Sequence, residues 1–220
     1  MLRGYVGGKA DSLSLRLYAD ADFSGDRPEF KSTSGVFLAL IGDNTCFPLC
    51  AKSAKQTCVA HSTVEAEMVA ANTGVRTVGI PSLDLWESVL KRHVVLNLIE
   101  DNESTYQIIK TGKNPTMRHL TRTHGVHVSW LHDLWERNIF GVTYTRTEAQ
   151  CADVFTKTFG DVVKWQGAIE LIGMAPGGTP PKPPPEPGPR PEKDNKSSTK
   201  NGGQSQRTPR PKERENRQHN

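Results

Sequence analysis

The C-terminal part of this 220-residue chain lacks every residue type that builds a hydrophobic core. From Pro176 to Asn220 there is no Ala, Val, Ile, Leu, Met, Phe, Trp, Tyr or Cys, and eleven of the 15 prolines lie there. Such a segment cannot bury enough apolar surface to offset the entropy it loses on ordering. We therefore expect an N-terminal remnant over residues 1–10, one folded domain over 11–172, and a disordered, proline-rich, basic tail over 173–220.

Positive charge is scarce outside this tail. The residues from 176 onward carry ten Lys and Arg against five Asp and Glu, which leaves 18 against 19 for the rest of the chain. The net charge of +4 is thus a property of the tail. This balance excludes a generally basic nucleic-acid binder, so any contact of the domain with nucleic acid must be local.

Cysteine and long apolar runs are scarce as well. The four cysteines fit no disulfide framework, and no apolar run approaches the ~20 residues that span a bilayer. We expect an intracellular, cytoplasmic protein with no membrane partner. Cys46, Cys50, Cys58 and His61 form a candidate zinc set, but the C-x3-C spacing and the apolar run around Cys46 favour small buried side chains.

Hydrophobic periodicity predicts a sheet that begins with three strands, over 13–19, 35–41 and 45–51. The turn residues at 42–44 predict an antiparallel hairpin, and Ser62 with Glu65 forms a capping box for the first helix. Further helices are predicted over 82–90, 104–110, 125–137 and 150–158, with strands over 94–99 and 140–145. This order predicts an α/β fold with a mixed five-stranded sheet covered by helices.

Four carboxylates fall at the ends of these predicted elements. Asp20 ends the first strand, Glu67 lies in the first turns of the first helix, Asp101 ends the fourth strand and Asp153 begins the last helix. Ligands gather at such strand ends, and Mg²⁺ prefers carboxylate oxygens, so the four could share two divalent cations that hydrolyse a phosphodiester. Taken singly, each also has a structural explanation in a turn, a cap or a helix dipole.

Four motifs, in this order and at this spacing, resemble the ribonuclease H domain of copia-type (Pseudoviridae-like) retrotransposon Pol polyproteins. They are YADADFSGD…KSTSG at 18–35, AKSAKQTCVAHSTVEAEMVAA at 51–71, EDNESTYQIIKTGKNPTMRHLTRTHGV at 100–126 and TEAQCADVFTKTF at 147–159. The resemblance implies a ribonuclease H-like fold and hydrolysis of the RNA strand of RNA–DNA hybrids. It also implies a polyprotein context, with reverse transcriptase and the other polyprotein parts as partners in a virus-like particle.

By motif position, the resemblance assigns the catalytic, metal-binding carboxylates to Asp20, Glu67, Asp101 and Asp153, with two Mg²⁺ ions, or Mn²⁺ in their place, as cofactors. Glu65 cannot share this role, because two helical residues are about 200° apart and the capping box already uses it. Asp22 is expected to serve its turn. Further residues are predicted to contact nucleic acid: Lys52, Lys55, Gln56, Asn102, Ser104, Arg118, Arg122 and His124.

The chain departs from the family pattern at two places. It reads R-T-H-G-V-H-V where copia-type sequences read R-T-K-H-I-D-I, which displaces His124 by one position. The loop at 145–150 lacks the histidine that cellular ribonucleases H place before their last catalytic aspartate, so turnover is expected to be slow. The chain also begins about a dozen residues before its first strand, as expected for a piece of a polyprotein.

Three other functions are alternatives to this one. A catalytically decayed or domesticated copy would keep the fold and residual nucleic-acid binding. An integrase-like core has its glutamate last, whereas Glu67 stands second among the four acids. The Pro-x-x-P steps at 180–191 fit a polyproline-recognising domain as partner of the tail, with a plain linker as the alternative.

Overall fold

The structure, a computed structural model, describes residues 1–174 and 182–187. Five strands form one mixed sheet in the order β3-β2-β1-β4-β5, in which β2 is antiparallel to β1 and β3, and β4 is parallel to β1 and β5. This confirms the predicted α/β fold, a mixed five-stranded sheet with its three antiparallel strands first. The strands are β1 (Ser14–Asp26), β2 (Lys31–Gly42), β3 (Thr45–Lys55), β4 (Leu96–Glu100) and β5 (Gly141–Tyr144).

The predicted helices are confirmed in order, with one wrong type and two omissions. The helices are α1 (Thr63–Gly74), α2 (Ile80–Leu90), α3 (Glu103–Thr111), α4 (Leu120–Thr123), α5 (Val128–Glu136) and α6 (Val162–Leu171), and a π segment, Val75–Gly79, joins α1 to α2. The helices α4 and α6 were not predicted. The helix predicted over 150–158 is a 3-10 segment, Cys151–Phe155, in which hydrogen bonds span three residues, as from Asp153 N–H to the Gln150 carbonyl at 3.3 Å and from Thr156 N–H to the Asp153 carbonyl at 3.2 Å.

Alternation along β1 sends its side chains into two different cores. Leu15, Leu17 and Ala19 face a core that the helices α1, α3 and α5 complete. Arg16, Tyr18 and Asp20 point the other way, toward the face on which Tyr18 packs with the 3-10 segment and the end of α6. The carboxylate of Asp20 therefore leaves the sheet on the side of the 3-10 segment.

Gly35 in β2 lets that 3-10 segment approach the sheet beside Asp20, its register partner. A Cβ at Gly35 would lie 2.6 Å from Cγ2 of Thr156 and 2.8 Å from the carbonyl oxygen of Ala152. Only a residue without a side chain leaves room there. The glycine thus helps to fix the distance between Asp20 and the segment that carries Asp153.

The two ends of the described chain meet beside β3. Tyr5 and Cys46 exchange two backbone hydrogen bonds of 2.9 Å, and Arg3 N–H donates to the Gly173 carbonyl at 3.1 Å. Within residues 1–174 and 182–187, no helix combines the length and apolar character that crossing a bilayer requires. The disorder predicted for 175–181 and 188–220 lies outside the described residues, and the boundaries at 10 and 172 stay predictions.

Candidate metal centre

Asp20, Asp101 and Asp153 come together where the pairing of the central strands β1 and β4 ends. Asp20 lies near the middle of β1, and Asp101 follows the last residue of the parallel strand β4. Asp153 approaches from the 3-10 segment. One carboxylate oxygen from each lies within 4.8 Å of the other two. This is the single described cluster of three or more potential metal-ligating side chains within residues 1–174 and 182–187.

Glu67 lines the same open cleft as Asp20 and Asp101, which has a volume of about 410 Å³. Its side chain comes from α1 on the opposite side of the sheet, and its Oε2 is buried without a hydrogen-bond partner. Burial, followed by the charges of Asp20 and Asp101, raises the pKa of Glu67 to about 9. A buried carboxylate with an unpartnered oxygen is suited to a cation that would take the place of its proton.

The two other buried acids of the cluster respond in the same direction. Burial raises the pKa of Asp20, although the charge of Lys157 and a hydrogen bond from Thr156 oppose the shift. Burial also raises the pKa of Asp153 to about 7, against the hydrogen bond from Lys157. The contacts with Lys157 and Thr156 therefore do not fully offset the cost of burying these two carboxylates in their charged form.

Lys157 and Thr156 are site residues that the sequence reasoning missed. The Lys157 ammonium lies 2.7 Å from Oδ1 of Asp153 and 3.3 Å from Oδ1 of Asp20, and the Thr156 hydroxyl donates to Oδ2 of Asp20. Burial acts to lower the pKa of Lys157, but the hydrogen bond to Asp153 and the charge of Asp20 raise it overall. A signal existed, because a lysine four residues after Asp153 meets it on a helical turn.

Glu100 is a second omission. It ends β4 with its side chain fully buried, Oε1 accepts the Asn102 N–H at 3.1 Å, and Oε2 has no partner. Burial, then the charge of Glu67, raises its pKa well above the ordinary value. Glu100 thus lies on the Glu67 side of the site. The pattern concealed it, because it directly precedes Asp101 in what reads as a strand end.

The donor set fits a hard divalent cation. Asp20, Asp101, Asp153 and Glu67 offer oxygen atoms alone, which is the chemistry that Mg²⁺ or Mn²⁺ prefers, and the unpartnered Oε2 of Glu67 marks a missing positive partner. Gln150 supports the set, since its amide nitrogen donates to the Ala19 carbonyl at 3.0 Å and reaches Oδ1 of Asp101 at 3.4 Å. These residues could hold a metal ion without rearrangement of the sheet.

The residues predicted to contact nucleic acid are spread over several surfaces. Asn102 lines the carboxylate cleft and caps α3 by accepting from Thr105 N–H at 3.1 Å. Ser104 and Lys52 are exposed. Lys55 pairs with Asp26 on the surface. Gln56 is buried, and its amide nitrogen donates to Oγ of Ser34 and the Ala66 carbonyl, both at 2.9 Å, so it is fixed between β2 and α1.

Arg118, Arg122 and His124 lie outside the lining of the carboxylate cleft. Arg118 lines another open cleft of about 450 Å³ with Lys113 and His127, and Arg122 is exposed on α4. His124 is buried, with Nδ1 at 3.8 Å from Oε1 of Glu65 and Nε2 at 3.3 Å from the Cys58 carbonyl. Its predicted role in binding nucleic acid stays a prediction.

Glu65 is confirmed as a residue of the α1 N-terminus. Its own N–H donates to Oγ of Ser62 at 3.2 Å, and its Oε2 accepts the backbone N–H of His61 at 3.0 Å, one residue earlier than in a standard capping box. Oε1 faces Nε2 of His119 at 3.1 Å. These contacts separate Glu65 from Glu67, as the rotation between them predicts.

Comparison with known proteins finds relatives among transposon polyproteins, although no protein-family model matches the chain. The Retrovirus-related Pol polyprotein from transposon TNT 1-94 of Nicotiana tabacum is 31% identical over 181 residues, covering 79% of this chain and 13% of that polyprotein. The Retrovirus-related Pol polyprotein from transposon RE2 of Arabidopsis thaliana is 27% identical over 155 residues, or 70% of this chain and 10% of the relative. The chain therefore spans about a tenth of the length of these curated relatives.

LC11-RNase H1, isolated from compost by a metagenomic approach, aligns with 65% of this chain and 92% of its own chain at 13% identity, with a TM-score of 0.44.

Proposed function

We propose that this chain, a member of the copia-type retrotransposon Pol polyproteins, hydrolyses the RNA strand of RNA–DNA hybrids as their ribonuclease H part. The observation that carries the proposal is the convergence of Asp20, Asp101 and Asp153, with oxygens within 4.8 Å of one another, beside the buried Oε2 of Glu67. Because the chain covers only about a tenth of its relatives, a reverse transcriptase and other polyprotein parts are proposed as its natural partners inside the cell.

The four carboxylates would hold two Mg²⁺ ions, or Mn²⁺, and the chemistry such ions supply is activation of a water and stabilisation of the departing 3′ oxygen. The protein's own part is placement. Thr156 fixes one oxygen of Asp20, and Gln150 fixes the orientation of Asp101. Asp153 comes close only because Gly35 admits the 3-10 segment to the sheet.

Selection of the RNA strand requires a group that distinguishes ribose from deoxyribose. The 2′-hydroxyl is the feature that RNA has and DNA lacks. Asn102 is the best-placed candidate, because it lines the cleft beside Asp101 while its own Oδ1 is fixed by the α3 cap, which leaves its amide nitrogen as a donor. The cations on the surface, Lys52 and Arg122 among them, would contact phosphates further along the duplex.

The test is cleavage of a labelled RNA–DNA hybrid by the full chain in Mg²⁺ or Mn²⁺. We expect Asp101→Asn to lower the rate by at least about 100-fold, the size typical for loss of one group that stabilises transition-state charge. Asp22→Asn is the matched control, because Asp22, which was expected to serve a turn, instead lies in β1 opposite Thr33 and lines the same cleft without being one of the three converging carboxylates. It should cost no more than about tenfold, the low end of the range for a group that acts only through a metal ligand.

Both variants are compared with the wild type for folding by circular dichroism. A folded wild type that cleaves no hybrid in either metal would refute the hydrolase proposal and favour the decayed copy. Equal losses in Asp101→Asn and Asp22→Asn would refute the assignment of roles within the site.

A further inference from the structure

A buried arginine stands in the middle of the sheet, on the face opposite α1. Arg16 in β1 is 7% exposed, and its register neighbours on that face are Ala39 in β2 and Asn97 in β4, with Gly141 in β5 beyond. Small side chains on both sides leave a shallow row across the sheet with the guanidinium at its centre. We call Ala39, Arg16, Asn97 and Gly141 the arginine row.

A guanidinium that is removed from water is costly unless an anion and hydrogen-bond acceptors meet it. Among the described residues, Arg16 forms an ion pair with Glu186. The Nη1 atom of Arg16 also donates to the carbonyl oxygen of Pro184 at 3.5 Å. Pro184 is itself buried. Both partners come from residues 182–187, Lys-Pro-Pro-Pro-Glu-Pro, within the predicted tail.

We propose that the arginine row is a docking surface for a proline-rich segment that carries a glutamate, and that residues 182–187 occupy it within the same chain. The chemistry of the two sides is complementary. Proline has no N–H, so a polyproline strand presents carbonyls that no backbone donor of its own uses, and Arg16 supplies donors. The fixed proline φ also lowers the conformational entropy lost on docking.

The proposal changes which partner the tail is expected to bind. The Pro-x-x-P steps at 180–191, predicted to engage a separate polyproline-recognising domain, overlap the segment that Arg16 holds. The domain is thus itself a receptor for this segment. A separate partner for these steps has to compete with Arg16, whether or not the site at Asp20 hydrolyses nucleic acid.

The test compares Glu186→Gln with Glu192→Gln in the full chain. Both remove one glutamate from the tail, and Glu186 is the acid that pairs with Arg16 among the described residues. We expect Glu186→Gln to shift the NMR signal of the Arg16 Nε–H group and to lower the thermal unfolding midpoint by about 1–3 °C, the size expected for a partly exposed ion pair in a chain of this length. Glu192→Gln should do neither.

A double-variant cycle then isolates the pair. In the Arg16→Gln background, adding Glu186→Gln should change the midpoint no further. Equal behaviour of Glu186→Gln and Glu192→Gln in both measurements would overturn the proposal. A shift of the Arg16 signal that depends on protein concentration would overturn docking within one chain and assign the segment to a second copy.

Discussion

At the scale of single residues, Lys157 supplies positive charge to the carboxylate cluster when no metal ion is bound. Its ammonium contacts Asp153 and Asp20 at 2.7 and 3.3 Å, so one positive charge stands among several confined negative ones. The side chain is 36% exposed, which allows it to turn outward. A divalent cation bound to the same oxygens would have to compete with this ammonium.

Replacing Lys157 with methionine should therefore tighten the binding of Mn²⁺ or Mg²⁺ and destabilise the metal-free protein. Loss of one competing charge of this kind is expected to raise the affinity about tenfold, the change that 1.4 kcal/mol produces. Isothermal titration calorimetry without nucleic acid measures the affinity, so the result does not depend on catalysis. Unchanged or weaker binding by Lys157→Met would show that the ammonium does not compete with the cation.

Lys164→Met is the matched control for this measurement. Lys164 is exposed on α6, where it lines a neighbouring cleft that Asp153 also borders, but it forms no ion pair with the described residues of the cluster. Its replacement removes the same charge and keeps the same side-chain shape. Its affinity for metal ions should equal that of the wild type, because a solvent-exposed charge outside the cluster is largely screened.

At the scale of elements, the 3-10 segment Cys151–Phe155 depends on one small residue in β2. A methyl group on Gly35 would press on the Ala152 carbonyl and on Thr156. We expect Gly35→Ala to cost about 1–3 kcal/mol of unfolding free energy, the usual penalty of overpacking, and to weaken metal binding because Asp153 is displaced. Denaturant unfolding and calorimetry measure the two effects.

Gly160→Ala is the control for that substitution, since no heavy atom lies within 4 Å of a Cβ at Gly160. It should leave both the unfolding free energy and the metal affinity close to those of the wild type. If Gly35→Ala matched this control, the approach of the 3-10 segment would not depend on the glycine.

The elements also differ in how well the sequence alone predicts them. The period-two pattern around Leu15 and Leu17 predicts β1 and places Asp20 on the opposite face, because one face of the strand must be buried. Helix α6 is different. Its first two residues, Val162 and Val163, are apolar but 69% and 75% exposed, so apolar residues do not mark the buried face and the sequence carries little amphipathic signal.

The limits at the site have a related cause. Asp20, Glu67, Asp101 and Asp153 could be chosen with the help of the family motifs, whereas the local expectation that Asp20 ends its strand is wrong, because β1 continues to Asp26. The spacing of Lys157 from Asp153 could have indicated their pair, but its contact with Asp20 joins two distant elements. The importance of Glu100 follows from its complete burial in the fold. The pairing of Arg16 with Glu186 joins positions 170 residues apart. Local patterns do not encode contacts of that range.

At the scale of the whole molecule, the raised pKa values couple folding to pH. Glu67 has a pKa of about 9 in the fold against 4.5 for the free group, and Asp153 about 7 against 3.8. Between these values the folded protein holds protons that the unfolded chain releases. Stability of the metal-free protein should therefore fall as the pH rises from about 5 to 9.

Thermal unfolding of the full chain in EDTA, at about pH 5.5, 7 and 8.5, measures this slope. Glu67→Gln should exceed the wild type in stability by a margin that grows from pH 5.5 to pH 8.5, because the amide has no proton to lose. Added Mg²⁺ should reverse the order at high pH, since it binds the ionised carboxylates of the wild type and stabilises the folded state by mass action. A wild type whose metal-free stability rises between pH 7 and 8.5 in parallel with Glu67→Gln would contradict the proton held at Glu67.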